Sequence, residues 1–223
     1  VDVLQQLATD LGTPCQLFPL DVGDHIALAQ AAHDFMARYG VPDIVIANAG
    51  VSVGTLTEEA EDLRAFRRVL DTNVMGMVHT FQPFVAALRA AGHGRLVGIA
   101  SVAGIRGLPG AGAYSASKAA AIAYLESLRV ELHGSGVKVV TLAPGYIATP
   151  MTAHNPYPMP FLMPVEQAAR SMARHIDKGS RFAVMPWQMG VVASLLRMLP
   201  RPMFDFLFAR AGRKPRTPNL SHS

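Results

Sequence analysis

Four short apolar runs, each followed in the chain by a stretch with helical spacing, constrain this sequence more than any other feature. Residues 43–49, 95–101, 137–143 and 181–185 have strand length and aliphatic or β-branched composition. The run Ile44-Val45-Ile46-Ala47 does not alternate with polar residues, which predicts a strand buried on both faces. A fifth short strand is expected over 16–20, ending at Asp21-Val22. Helical spacing covers 24–39, where Ile26, Leu28, Ala29, Ala32, Phe35 and Met36 recur and Gly40 stops the pattern. A second helix runs from Thr57, an N-cap ahead of Glu58, Glu59 and Glu61, towards Arg89, with irregularity expected at Asn73 and Pro83. Further helices are predicted over 115–133, closed by Gly134, and over 165–178. Alternating β and α units of this length imply an α/β fold: a doubly wound parallel sheet with helices on both faces, three layers deep.

Composition limits the function classes. With 223 residues, 50% of them hydrophobic and 16% charged, the chain suits one folded domain and not a disordered one. The lone Cys15 cannot form a bridge within the chain. No run of about 18 uninterrupted apolar residues exists; the nearest, 182–199, contains Pro186, Gln188 and Arg197. No signal peptide precedes the first strand pattern, so a cytoplasmic, reduced setting is expected. The formal charge of +4 is concentrated at one end. Residues 197–216 hold Arg197, Arg201, Arg210, Arg213, Lys214 and Arg216 against Asp205 alone, a local +5, so the body is close to neutral. Nucleic-acid binding is therefore not expected, because the body has no basic face in sequence.

Parallel α/β sheets bind ligands outside the carboxyl ends of their strands. Here those ends carry Asp21, Asn48-Ala49-Gly50, Ser101 and Pro144-Gly145. Tyr114 and Lys118 are four apart at the start of a predicted helix, which puts both on one face. A phenol ionises near pH 10, and a neighbouring ammonium favours the phenolate, so such a pair can exchange a proton with an alcohol or carbonyl oxygen. Ser101, across a glycine-rich loop, can hydrogen-bond the same oxygen. Taken alone, Ser101 reads more readily as a cap or turn serine, and Asn73 as a polar residue at a kink. No histidine pair has metal-ligand spacing with a carboxylate, so no metal is expected. Ser101 does not sit in a Gly-x-Ser-x-Gly elbow, which argues against a serine hydrolase.

Together, Asp21-Val22, Asn48-Ala49-Gly50, Asn73, Ser101, Tyr114-x-x-x-Lys118 and Pro144-Gly145-Tyr146-Ile147-Ala148-Thr149 resemble the short-chain dehydrogenase/reductase family, in its order and spacings from about residue 15 to 185. The resemblance implies a Rossmann-like sheet and an NAD(P)-dependent oxidoreductase that interconverts a secondary alcohol and a ketone. Tyr114 would be general acid and base. Lys118 would hold the nicotinamide ribose and lower the tyrosine pKa. Ser101 would orient the substrate oxygen, and Asn73 would anchor a water in a proton relay. Asp21 and Val22 would meet the adenine, Asn48, Ala49 and Gly50 would line the cofactor cleft, and Pro144, Gly145, Ile147 and Thr149 would border the nicotinamide. The cofactor would be NAD or NADP, the partners a small-molecule substrate and a second copy or copies in a homodimer or homotetramer built on the two long helices. An inactive member that keeps the fold as a binding or scaffolding module is the alternative.

Several departures accompany the resemblance. The family opens with a strand, a glycine-rich turn, a helix and a second strand, and this chain begins at Val1 with a stretch, 3–11, that reads like the helix before the family's third strand. About 40 residues of a βαβ unit and its entry helix are expected to be missing from the sequence. The segment Gly92-His93-Gly94-Arg95-Leu96-Val97-Gly98 precedes a strand instead of following one and is not expected to be a cofactor loop. Ala47 stands where the family pattern has a first asparagine. The expected organisation is a Rossmann-like domain over 1–186 and a carboxyl-terminal extension over 187–223, with a helix at 191–199, an apolar stretch at 203–208 and a basic tail. Residues 151–164 suggest a lid for an apolar substrate, or a loop that packs only on its own domain. The tail fits three readings: peripheral contact with an anionic membrane, docking on a partner subunit, or capping of its own core, the last needing no further partner.

Overall fold

The structure, a computed structural model, describes residues 2–153, 155 and 158–216. Strands β1 (Ile44–Ala47), β2 (Gly94–Ile99), β3 (Val137–Pro144) and β4 (Phe182–Met185) form one parallel sheet in the order β1-β2-β3-β4. The register sets Ile44 opposite Arg95, Gly94 opposite Val137 and Thr141 opposite Phe182. Helices α1 (Asp2–Leu11), α2 (His25–Tyr39), α3 (Asp62–Leu70), α4 (Gly76–Ala91), α5 (Gly112–Glu131), α6 (Val165–Lys178), α7 (Trp187–Met198) and α8 (Arg201–Phe208) complete the chain.

The two-residue period of the strands divides the core between the two faces of the sheet. Val45, Ala47, Leu96, Val137 and Val139 pack on one face against Met77, Phe81 and Leu88 of α4 and Ala121, Leu125 and Leu128 of α5. Val97, Val140, Leu142, Ala183 and Met185 pack on the other face against Ala168, Met172 and Ile176 of α6. These two layers of helix on a parallel sheet make the three-layer α/β fold that the alternation predicts.

Several expectations need correction. Residues 16–20 form no strand. An extended segment needs a ladder partner for its backbone groups, and among the described residues none lies beside it; Gln16 instead accepts a hydrogen bond from Arg38 (3.1 Å). β1 is buried on one face only: Ile44 and Ile46 remain 38% and 48% exposed, because no described helix covers their side of that strand. Thr57 caps nothing. The chain makes successive turns there, with Glu59 N–H donating to Leu56 O and Asp62 N–H to Glu59 O, and α3 begins at Asp62. The long helix is broken where Asn73 suggests: residues Asp71–Met75 form a π-helical turn between α3 and α4. α5 starts at Gly112, three residues before the predicted boundary, so Tyr114 and Lys118 both lie on regular helix. Gly92, in the left-handed region (φ +72°), closes α4, and β2 begins two residues later, so the glycine-rich segment 92–98 is a helix-to-strand turn.

The carboxyl-terminal helices are tied to the loop after β2. Arg106 donates to the carbonyls of Leu196 (3.1 Å) and Leu199 (3.0 Å), and its guanidinium stacks 4.2 Å from the ring centroid of Phe204. No helix among the described residues is long and apolar enough to cross a membrane.

Candidate active site

The carboxyl ends of β1, β2 and β3 meet the first turns of α5. Ser101 lies two residues beyond β2 and caps a short 3-10 turn, Val102–Gly104, by accepting from Ala103 N–H (3.1 Å). Its cap role and its place at the strand end therefore coexist. Gly104 is required in that turn: a Cβ there would stand 2.6 Å from the Lys118 carbonyl carbon, so only glycine lets the turn lie against α5. That close approach puts Ser101 and Tyr114 on the wall of one cavity, with Ser101 Oγ 3.5 Å from the Pro144 carbonyl. Lys118 follows one helical turn later. Its Nζ is 5.8 Å from the Tyr114 ring centroid and donates to the Ile99 carbonyl (2.7 Å).

The electrostatics differ from the expectation in one respect. Burial pushes the Tyr114 phenol above its ordinary value, and the nearby Ser101 hydroxyl works in the opposite direction. The Lys118 ammonium does not lower it in this arrangement: it is turned to Ile99 and is itself pushed down to about 8 by burial. Lys118 is 5% exposed and has two further N–H donors beyond the Ile99 bond.

Asn73 is 1% exposed, and its side chain joins two elements. Its Oδ1 accepts from Val51 N–H (2.8 Å), and its Nδ2 donates to Val51 O (3.0 Å) and to Ser117 Oγ (2.9 Å). The π turn aims the side chain at both partners, and the loop after β1 is thereby fastened to α5. A Cβ on Gly50 would approach Asn73 Oδ1 to 3.3 Å and Lys118 Nζ to 3.6 Å, so bare backbone lies within reach of the ammonium. Asn48 and Ala49 are exposed beside it.

Asp21 Oδ1 accepts from Gly23 N–H (2.7 Å), and Asp24 caps α2 through Ile26 and Ala27. Val22 packs on Gly76, where any Cβ would meet its side chain at 2.7 Å, and His79 Nδ1 lies 3.0 Å from its carbonyl. Asp21 and Val22 thus sit at the start of α4, one turn from Asn73. On the other side, Pro144 ends β3 and Gly145 N–H donates to Met185 O (2.8 Å). Thr152 Oγ1 bonds the Ile147 carbonyl (2.6 Å) and accepts from Thr149 N–H (3.1 Å).

Ser101, Tyr114, Gly145 and Tyr146 wall one small cavity of about 90 Å³, together with Met151, Thr152 and Asn155 of the loop after β3. Asn73, Ile147 and Thr149 do not line it. His154, Pro156 and Tyr157 of the suggested lid lie outside the described residues. Two lining groups had no signal in the sequence. Ser52 follows the Asn48–Gly50 stretch, and Lys214 arrives from the tail, 5.4 Å from the Tyr114 ring centroid.

The model of the short chain dehydrogenase family matches residues 1–158, which hold the strand-end loops, the π turn and the Tyr114–Lys118 helix. The chain belongs to the short-chain dehydrogenase/reductase family. An uncharacterized oxidoreductase of Myxococcus xanthus is 38% identical over 205 residues, 92% of this chain and 81% of that protein. The 2-dehydro-3-deoxy-L-rhamnonate dehydrogenase (NAD(+)) of a Sphingomonas species is 42% identical over 132 residues, 59% of this chain and 53% of its own length. Among solved structures, a short chain dehydrogenase from Burkholderia cenocepacia in complex with NADP is 27% identical and superposes with a TM-score of 0.73, covering 85% of this chain and 76% of that one. This short-chain dehydrogenase/reductase is accordingly an NAD(P)-dependent oxidoreductase. Lys118, with two N–H donors unspent, lies beside the Gly50 backbone and next to the exposed Asn48-Ala49 edge, a set of groups that could hold a polar part of such a dinucleotide.

Proposed function

We propose that this enzyme interconverts a secondary alcohol and a ketone of a fairly apolar substrate, with Tyr114 as the group that moves the proton. The observation that carries this reading is that Ser101 and Tyr114 line one cavity at the strand ends, with Lys118 one helical turn from the phenol. In reduction the Tyr114 phenol gives its proton to the carbonyl oxygen; in oxidation the phenolate takes it from the alcohol. Ser101 holds that oxygen beside the phenol. Lys118 and the Asn48-Ala49-Gly50 edge hold the ribose end of the cofactor, Pro144, Gly145, Ile147 and Thr149 border its ring, and Asp21 and Val22 its adenine. A dinucleotide held by these residues would supply the hydride in reduction and accept it in oxidation. Asn73 acts by position: both Nδ2 donors are spent on Val51 and Ser117, and Oδ1 keeps one lone pair for a water.

The reading includes an organisation of a catalytic unit over 1–186 with an extension over 187–223, and a homodimer or homotetramer. The Tyr114→Phe variant tests the chemistry. Turnover of a panel of aliphatic ketones and secondary alcohols with NAD and NADP is expected to fall by about 10²–10⁴-fold while dinucleotide binding persists. Unchanged turnover would sink the assignment.

A further inference from the structure

The described end of the chain folds back across the active site. Residues 212–216 run as a strap between two glycines. Gly54 N–H donates to Pro215 O (3.1 Å), and a Cβ on Gly54 would collide with the Lys214 and Pro215 carbonyl oxygens. Across from it, a Cβ on Gly110 would meet Arg213 Cβ at 2.8 Å. Arg216 fastens the strap to the start of α3, with Nε 2.8 Å from Asp62 Oδ2, Nη2 3.3 Å from Oδ1, and Nη1 3.1 Å from Glu59. Asp62 in turn accepts from Leu56 N–H (2.8 Å). The strap's course is thus set by backbone fit and a forked ion pair.

Its effect is to carry Lys214 inward. The ammonium donates to Ser52 Oγ (2.5 Å) and stands over the Tyr114 ring. Lys214 belongs to the walls of two adjoining cavities. One is the small Ser101–Tyr114 cavity. The other, about 270 Å³, is bounded by Leu108, Pro109, Tyr146, Pro158 and Phe208. Neither cavity has an Asp or Glu among its lining residues. Arg216 is matched by two carboxylates, whereas Lys214 has only a neutral hydroxyl as its hydrogen-bond acceptor among the described residues.

We propose that Lys214 is a specificity-determining residue that selects substrates carrying a carboxylate near the reacting carbonyl on an otherwise apolar body. The proposal rests on the reading of Tyr114 as the reacting group and adds the class of substrate. A partly buried ammonium without a carboxylate partner is poorly compensated, and an incoming anion supplies what the wall lacks. Burial lowers the Lys214 pKa, and a bound carboxylate would raise it again. The neighbouring chamber, lined by Leu108, Pro109, Pro158 and Phe208, suits the hydrocarbon portion.

Calorimetric titration with hexanoate and hexanamide, which share a body and differ in charge, tests this on the full chain. The wild type is expected to bind hexanoate at least about tenfold more tightly than hexanamide. In Lys214→Met that preference should fall to about twofold or less, with hexanamide affinity unchanged, and Lys214→Arg should restore it. Gly54→Ala, which pushes the strap off at its backbone and keeps the Lys214 side chain, should lose the preference as well. Tyr114→Phe should keep it, so that a failure of the proton-transfer assignment is read separately in turnover. The proposal is overturned if the two ligands are indistinguishable in wild type, if Lys214→Met keeps the preference, or if Gly54→Ala binds both more tightly, since the strap would then merely block the cavity.

Discussion

Lys118 and Tyr114 sit four apart on one helix, but burial governs their ionisation more than their proximity does. Lys118 is pushed from 10.5 down to about 8 in the folded chain. A depressed lysine pKa means that the unfolded chain binds the proton more tightly between pH 8 and 10.5, so stability rises with pH through that window. The burial cost, about 3 kcal/mol from a shift of this size, is present in full below pH 8 and gone above 10.5. The difference in unfolding free energy between wild type and Lys118→Met is therefore expected to move in favour of wild type as the pH is raised from 7 to 10, measured by urea titration. A difference that stays flat would mean that Lys118 is not held as a desolvated cation.

At the scale of elements, the π turn Asp71–Met75 is the joint that assembles the site. One extra residue per turn rotates Asn73 inward, where it bonds the loop after β1 and the hydroxyl of Ser117 on α5. Asn73→Ala leaves the Val51 N–H and C=O without these partners and removes the donor to Ser117 Oγ, which keeps its bond to the Tyr114 carbonyl. The expected destabilisation is about 2–4 kcal/mol, with the Val51 amide exchanging faster than amides of β3. A loss below about 0.5 kcal/mol would show that the joint is held by packing alone. The elements themselves were largely legible in sequence. Helix α6 lies at the predicted residues, β3 and β4 lie within a residue of theirs, and the kink at Asn73 follows from an asparagine in mid-helix. Where the reading failed, a neighbour was decisive. Residues 16–20 have strand composition but no strand beside them, and Thr57 has cap chemistry but lies among successive turns that end on Asp62.

Across the whole molecule, the basic end of the chain packs against the cavity that Tyr114 lines. Six of its charges read in sequence as a tail with three uses; in the fold, Arg216 pairs with Asp62 and Glu59, and Lys214 reaches the Tyr114 cavity. Arg216→Gln should free the strap. The Gly54 amide is expected to exchange at least about tenfold faster, and trypsin to cut after Arg213 earlier than in wild type. Raising the salt concentration should move wild type towards the variant, because the pair lies partly open to solvent. If the exchange rate of Gly54 is unchanged, the backbone fit at Gly54 and Gly110 holds the strap without the ion pair.

What the sequence by itself determined is what depends on local periodicity and spacing: an α/β sheet with helices on both faces, and Tyr114 and Lys118 on one side of a helix that begins near a strand end. These follow because strand and helix periods are set within a few residues. Tertiary structure alone decided that Ser101 and Tyr114 share one cavity, that burial and not Lys118 sets the direction of the phenol's shift, and that Lys214 reaches that cavity from a hundred residues away. Close approach and desolvation arise between segments distant in sequence, and no local pattern encodes them.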